Sequence, residues 1–276
     1  SPLSGVANLT IEIFRKTVRG IVATHDSLHG GFGEAPKQPM PASLRVVLQA
    51  WQETQGPDFG TVLVKTLDAM SERGMYDAVN GGFFHYATNN LWSVARTEKL
   101  CEDNAQLARL YLDAADILGQ PKYRAKALQA LGWVRERLLD PSRGVFAGSQ
   151  AGDDDYYPIE PRRRAGKPPP PVDATVFTTS SAAMAGAFLR AAQVTGDEGW
   201  AGPALRGLDW LLKECVRDGA VAHYHDGSPK LFVLARDPIA LAGALIDAHE
   251  HTGEARWLEA ADRMMEDVLR RFWSDE

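Results

Sequence analysis

One segment of the sequence, residues 74–106, carries several side chains that could bind and transform a polar ligand. It combines aromatic rings with carboxylates, an imidazole and an amide: Tyr76, Asp77, His85, Tyr86, Trp92, Glu98, Asp103 and Asn104. A sugar ring presents apolar faces that stack on aromatic rings and hydroxyls that need planar donors and acceptors. We therefore interpret this segment as a candidate saccharide site.

Two kinds of sugar chemistry fit these residues, and the sequence does not choose between them. Glycoside hydrolysis needs two carboxylates about 5–9.5 Å apart, and the candidates are Asp77, Glu98, Asp103 and Asp153. Epimerisation needs a base and an acid that titrate near neutral pH on either side of one carbon, and the candidates are His85, His223 and His225. Structural roles compete with both: Glu98 suits the start of a helix, and Asp103 with Asn104 suits a buried hydrogen-bonded pair.

Other turns add candidate ligand-binding groups. The first glycine-rich turn offers Glu34 and Lys37, which could instead pair with each other. Together with residues 74–106 and the later turns, the candidate ligand-binding set is Glu34, Lys37, Tyr76, Trp92, Asn104, Gln150, Asp153, His223 and His225. His223 and His225 form an isolated His-x-His, which is a weak metal signal. Phosphate-loop, zinc-protease, serine-hydrolase and EF-hand patterns are lacking, so we expect no metal and no cofactor.

Composition limits the class of protein. The chain has 276 residues, is 45% hydrophobic and carries a formal charge of −6. These values favour a sizeable core and disfavour nucleic acid or an anionic membrane as the main partner. No run of about 18 apolar residues predicts a membrane span. Cys101 and Cys215 are far apart and are predicted to be buried free thiols, which favours the cytoplasm.

The elements that must position these residues are helices. Helical spacing of apolar residues predicts helices over residues 6–24, 42–55, 58–73, 98–118, 121–139, 178–195, 198–216, 237–252 and 254–272. Glycine-aromatic turns near Gly30, Gly81, Gly144 and Ala220 alternate with short joints such as Leu118-Gly119-Gln120-Pro121. Short joints that alternate with long loops are typical of a helical repeat. We therefore predict an all-α fold, one (α/α)6-like toroid of helical hairpins over 1–276 that can be incomplete, with the long loops on one face.

Residues 150–175 stand apart from this pattern. Three aspartates, two tyrosines and three arginines precede the four prolines of 168–171. Opposite charge runs next to a stiff proline run predict an exposed, charged and proline-rich loop. A lid or a partner-docking segment is the alternative interpretation.

Three motifs resemble one known family: GGFGEAPKQP, the long segment that begins GMYDAVNGGFFHYATNN, and FAGSQAGDDDYY. They resemble the spermatogenesis-associated thioredoxin-like proteins, which join an N-terminal thioredoxin-like domain to a helical toroid. That toroid is similar to six-hairpin glycosidases and N-acylglucosamine 2-epimerases. The resemblance covers roughly residues 10–275 and implies that the chain is a fragment whose full protein has an adjoining thioredoxin-like domain.

Several polar positions of the family pattern are changed here. Its Pro-His-Phe-Glu-Lys is replaced by residues 95–99, so the histidine is lost, and residues 151–153, 179–183 and 236–240 also depart from it. These losses favour a non-catalytic, degenerate interaction or ligand-binding toroid. The alternative is a carbohydrate-active enzyme, either a sugar epimerase or isomerase or a glycoside hydrolase, that uses the long-loop face.

Overall fold

The computed structural model describes residues 11–159, 161–164 and 166–274. Its helices are α1 (Ile11–Ala23), α2 (Pro41–Thr54), α3 (Pro57–Glu72), α4 (Cys101–Ile117), α5 (Pro121–Arg137), α6 (Pro161–Arg164), α7 (Thr178–Thr195), α8 (Ala201–Glu214), α9 (Arg236–Thr252) and α10 (Ala255–Phe272). The all-α prediction is confirmed, and most predicted bounds fall within three residues of the observed ones. The predicted start of the first helix at residue 6 lies outside the described residues.

The helices form two layers. In the inner layer α2 packs on α4, α4 on α7, and α7 on α9, while α3, α5, α8 and α10 each pack on the inner helix that precedes them. Helix α1 packs on α2. Within the described residues α2 makes no substantial contact with α9, so the inner helices form an arc. No described helix is long and apolar enough to cross a membrane.

Glycines end the inner helices at the short joints. Gly196 and Gly253 adopt φ of 70° and 71° directly after α7 and α9. Their amides donate to the carbonyls of Ala192 and His249, which satisfies helix-end groups that would otherwise lack partners. A proline opens the next outer helix at Pro57 and Pro121, where the missing N–H has no helical acceptor anyway.

Each glycine-aromatic turn packs against the outer helix of the following hairpin. Gly30 faces the backbone of α3, Gly81 faces α5, Gly144 faces α8 and Gly219 faces α10. A Cβ on Gly144 would lie 2.4 Å from the Pro203 carbonyl oxygen, so the turn and the helix meet through backbone alone. The repeat expected from the sequence is therefore a repeat of contacts between neighbouring hairpins.

Short ribbons tie down the long loops. They are the two-residue strands β1 (Tyr86–Ala87), β2 (Ala95–Arg96), β3 (Lys99–Leu100), β4 (Ser149–Gln150), β5 (Val172–Asp173), β6 (Val176–Phe177), β7 (Val216–Arg217), β8 (Ala220–Val221), β9 (Tyr224–His225) and β10 (Pro229–Lys230). Strand β4 pairs with both β3 and β5, and β9 pairs with both β6 and β10, all antiparallel. Pairing of Lys99 and Leu100 in β3 explains why α4 begins at Cys101 and not at the predicted residue 98.

Both cysteines are free and buried, as predicted. Cys101 lies at the start of α4, and Cys215 follows α8. Burial raises the pKa of the Cys215 thiol to about 11 and raises that of Cys101 further. The two thiols are therefore protonated at neutral pH and belong to the core.

Candidate functional site

Asp77, the first carboxylate of the segment 74–106, lies inside a buried ion cluster. Its carboxylate accepts hydrogen bonds from Nζ of Lys99 at 2.8 Å and from a guanidinium nitrogen of Arg164 at 2.7 Å. Lys99 also donates to the carbonyl of Gly81 at 2.7 Å, and its side chain is fully buried. We call Asp77, Lys99 and Arg164 the Asp77 cluster.

The Asp77 cluster is closed by aromatic rings. Nζ of Lys99 lies 4.7–5.3 Å from the ring centroids of Phe84, Trp133 and Tyr157, a range in which a cation is attracted to a ring face. Burial alone would raise the pKa of Asp77, but the charges of Lys99 and Arg164 outweigh burial and lower it. The carboxylate is therefore ionised, paired and inaccessible to a ligand.

The same arrangement recurs in two other turns. Asp26 accepts from Nζ of Lys37 at 2.8 Å, and Asp140 accepts from Nε of Arg143 at 2.7 Å. In all three turns the aspartate also accepts backbone N–H groups two and three residues ahead. The sequence signal is Asp-x-x-x-Gly-x-Phe from Asp26, Asp77 and Asp140, which motif reasoning missed. Lys37 was a ligand-binding candidate with a Glu34 pair as the alternative, and in the structure its amine binds Asp26.

A different environment surrounds His85 and Asp103. Nδ1 of His85 lies 2.7 Å from Oδ2 of Asp103, in the first turn of α4. An ionised carboxylate only accepts hydrogen bonds, so in the neutral imidazole Nδ1 carries the proton and Nε2 presents a lone pair. The two side chains are 35% and 25% exposed. Burial raises the pKa of Asp103, and the interaction with His85 opposes that shift.

A second pair, His223 and Asp237, repeats this geometry. Nδ1 of His223 lies 3.1 Å from both carboxylate oxygens of Asp237, in the first turn of α9. The hydroxyl of Thr179 donates to the same carboxylate at 2.6 Å. His223 is 22% exposed, whereas Asp237 is fully buried. Asp237 was not among the predicted site residues. The sequence pattern that both pairs share is a His-Tyr dipeptide in a turn, followed by an aspartate in the first turn of the next inner helix.

The two pairs, which we call the two dyads, are positioned by equivalent backbone. The amide of His85 donates to two carbonyls, those of Arg96 and Glu98, and the amide of His223 donates to those of Lys230 and Leu231. Each histidine directly precedes a two-residue strand, β1 or β9. The ribbons therefore fix both imidazoles at the beginnings of inner helices α4 and α9.

Two ion pairs connect α4 directly to α9. Near their N-terminal ends, Arg236 donates to Glu102 at 2.7 Å. Further along, Arg109 forms a two-point contact with Asp247 in front of Gly186 of α7, where a Cβ would lie 2.6 Å from an Asp247 oxygen. Because Glu102 and Arg236 adjoin the dyad aspartates in sequence, this ion pair connects the two helix N-terminal ends that carry the dyads.

Most other predicted ligand-binding residues serve the packing of loops. Tyr76 donates to the Lys126 carbonyl, and Trp92 donates to the Gly30 carbonyl. The Asn104 side chain accepts from the Phe83 amide and donates to the Phe83 carbonyl. Asp153 accepts two amides of its own turn. Gln150 is buried between Trp133 and the Pro170 carbonyl, and the ring of His225 packs on Trp210. Glu34 is exposed on its turn.

Glu98 lies in an open cleft beside the first dyad. The cleft has a volume of about 320 Å³ and is lined by Arg96, Thr97, Glu98, Ala151, Gly152 and Asp154. Its wall includes Arg96 and Glu98, whose backbone carbonyls accept hydrogen bonds from the His85 amide. The cleft therefore adjoins the backbone that positions His85. Within the described residues, no three histidine, cysteine or acidic side chains converge as a metal ion would require.

This fold is shared with sugar-active toroids. D-mannose isomerase superposes with a TM-score of 0.75 over 99% of this chain and 73% of its own, at 11% identity. Cellobiose 2-epimerase from Spirochaeta thermophila gives 0.73 over 95% and 72%, at 15% identity. A family 76 α-mannanase from Bacteroides thetaiotaomicron gives 0.66 over 93% and 72%, at 14% identity. The chain thus has the fold of the six-hairpin toroids.

By sequence, the chain is homologous to spermatogenesis-associated protein 20. The mouse and human proteins are 32% and 33% identical to it over 131 residues. That alignment includes 46% of this chain and spans 17% of each relative's length. No protein-family model matches the chain.

Proposed function

We propose that the long-loop face binds a sugar and that His85 and His223 move protons on it, as in a sugar isomerase or epimerase. The observation that supports this proposal is the pair of equivalent dyads at the N-terminal ends of inner helices α4 and α9. In each, the aspartate accepts the Nδ1 proton, so Nε2 is free to take a proton from a ligand. Both imidazoles are partly exposed, so a ligand can reach them.

The reaction needs one histidine neutral and the other protonated. The neutral imidazole takes the proton from the carbon next to the carbonyl of an open-chain sugar, and the electron pair moves into an enediolate. The protonated imidazole then returns a proton, either to the same carbon from the opposite face or to the neighbouring carbon. The first outcome is epimerisation. The second is isomerisation, in which the hydroxyl proton of the carbon that lost its C–H proton also moves to the former carbonyl oxygen. Arg236 is hydrogen-bonded to Glu102 and adjoins Asp237, and its other N–H groups are donors for the enediolate oxygen.

Glycoside hydrolysis has less support in this chain. Of its candidate carboxylates, Asp77 is buried within its cluster and Asp153 caps its own turn. The remaining pair is Glu98 and Asp103, and Asp103 is hydrogen-bonded to His85. A hydrolase would have to break that hydrogen bond to use Asp103 as a free acid or nucleophile.

A non-catalytic toroid, which the departures from the family pattern favour, predicts binding without chemistry. The two hypotheses are separated by deuterium exchange. The chain would be incubated in D₂O with mannose, glucose, fructose or cellobiose, and the protons next to the carbonyl followed by NMR. Deuterium exchange at that carbon reports enediolate formation even where the substrate sugar and its product are equally stable.

Variants test the assignment. We expect His85→Gln and His223→Gln each to slow exchange by about 10²–10⁴-fold, the usual contribution of a positioned acid or base. His251→Gln is the matched control, because His251 also lies 3.1 Å from a carboxylate, that of Glu198, but near the C-terminal end of α9. Sugar binding with no exchange would favour the non-catalytic toroid. Exchange that both dyad variants retain would refute the assignment.

A further inference from the structure

The proline-rich part of the loop 150–175 takes no part in the two dyads and has a distinct structure. We name residues Pro161–Arg164 and Gly166–Pro171 the strap. Its first part is α6, whose Arg164 enters the Asp77 cluster and is 5% exposed. The strap is therefore fixed to the body of the protein at its beginning.

The other end of the strap is fixed by backbone hydrogen bonds. The carbonyl of Pro170 accepts from the Gln150 side chain at 3.0 Å, and that of Pro171 accepts from the Ala151 amide at 2.9 Å. Strand β5 follows directly and pairs with β4. The four prolines therefore enter the ladder in a fixed register and do not form a free linker.

The prolines present a preformed edge to solvent. A proline fixes its own φ and restricts the residue before it to extended backbone, so Pro168–Pro171 adopts a polyproline II helix with three residues per turn. Pro170 faces the protein and is buried, whereas Pro168, Pro169 and Pro171 are exposed. Pro168 and Pro171 are three residues apart and share one exposed face.

The strap is also basic. Arg162, Arg163 and Lys167 are exposed, and none of them forms an ion pair with a described residue. Lys167 directly precedes Pro168. A local excess of positive charge in a chain with a formal charge of −6 marks a surface that attracts acidic groups.

We infer that the strap is a docking ligand for a protein groove that is lined by aromatic side chains and flanked by carboxylates. Aromatic grooves of this kind bind two prolines at Pro-x-x-Pro spacing, and the preformed helix lowers the entropic cost of binding. The acidic flank would receive Lys167. This inference does not depend on sugar chemistry at the dyads.

The test uses the full 276-residue chain and, as probe, a purified SH3 domain with an acidic specificity loop, titrated by calorimetry. We expect saturable binding that Pro168→Ala with Pro171→Ala weakens at least about tenfold, because both prolines leave the groove. Lys167→Glu is expected to weaken it to a similar degree. Pro141→Ala, at an exposed proline after α5, is the control and is expected to change nothing.

Three outcomes would overturn the inference. The first is the absence of SH3 binding, and the second is binding that survives the double proline variant. The third is retention on heparin that requires Arg162 and Arg163 without SH3 binding, which would identify a polyanion surface. If the double variant melts at a lower temperature, its lost binding could reflect a destabilised fold. The binding of Lys167→Glu then decides the test, because the exposed Lys167 side chain makes no described contact and its substitution should leave the fold intact.

Discussion

Asp77 and Asp103 belong to the same segment of sequence but lie in opposite environments. Asp77 is 3% exposed and neutralised by two cations, and its pKa is lowered. Asp103 is partly exposed and holds a single histidine, and its pKa is raised. A carboxylate that stabilises the fold is surrounded by partners, whereas one that could act on a ligand leaves its partner open to solvent.

The largest expected effect separates these two carboxylates by stability. Asp77→Asn leaves Lys99 and Arg164 buried without a counter-charge, so we expect a loss of about 3–5 kcal/mol in the free energy of unfolding. Asp103→Asn removes a partly exposed charge but keeps an oxygen that can accept from His85, and it is expected to cost about 1 kcal/mol or less. Urea denaturation of both variants measures the difference, and equal losses would show that the comparison is wrong.

Acid should act on the same cluster with a smaller effect. Because the pKa of Asp77 is lowered in the folded state, its stabilisation is present above the ordinary pKa and is lost as pH falls through the folded value. Asp26 and Asp140 have lowered pKa values and act with the same sign. The loss is smaller than that caused by Asp77→Asn because the carboxylate stays ionised in the folded state until the pH falls below its lowered pKa.

Denaturation midpoints at a series of pH values test this expectation. The raised pKa of Asp103 has the opposite sign, since its contribution is present in acid and is lost as pH rises through the folded value. Asp103→Asn should therefore not reduce the acid-induced loss. Stability that stays constant down to pH 3 would contradict the role given to the three turn aspartates.

The turn that holds Asp77 should tolerate no side chain at Gly81. Gly81 has φ of 82°, and a Cβ there would lie 2.6 Å from the Gln129 carbonyl oxygen. We expect Gly81→Ala to cost about 2 kcal/mol or more. The control Gly119→Ala has φ of 63° and open space around the Cβ, so about 1 kcal/mol is expected. Thermal denaturation compares the two, and equal costs would exclude the clash as the cause.

The smallest expected effect concerns the second dyad. Thr179→Val removes the hydroxyl that donates to the buried Asp237 carboxylate, and we expect a loss of about 1.5 kcal/mol. Thr88→Val removes an exposed hydroxyl bond to the Val94 carbonyl and should cost about 0.5 kcal/mol. If the two variants were equally stable, Asp237 would have to find a replacement partner.

Sequence patterns predicted the helices well because each helix is specified locally. Apolar spacing and the Gly-Pro joints indicated bounds such as those of α5 and α7, and the glycine turns indicated the repeat. The starts of α4 and α8 both lie three residues later than predicted, and at α4 the pairing of Lys99 with Gln150 overrides the helical signal. A two-residue strand has no period that could be recognised in advance.

The candidate site was predicted only in part. His85, Asp103 and His223 were identified by residue type, and the structure brings each of the two histidines to a carboxylate. Asp237 and Arg164 were missed because their roles depend on partners far away in sequence. One of three consecutive arginines enters the core, and nothing in the local pattern distinguishes Arg164 from Arg162 or Arg163.

The packing of each glycine turn on the next outer helix has a consequence for cooperativity. Every hairpin makes its main contacts with its immediate neighbours, so stability spreads along the arc as in a one-dimensional array. Opening can then begin at either end of the described arc and proceed hairpin by hairpin. Helices α4 and α7, each of which packs on an inner helix on both sides, are the last inner helices that such fraying would reach.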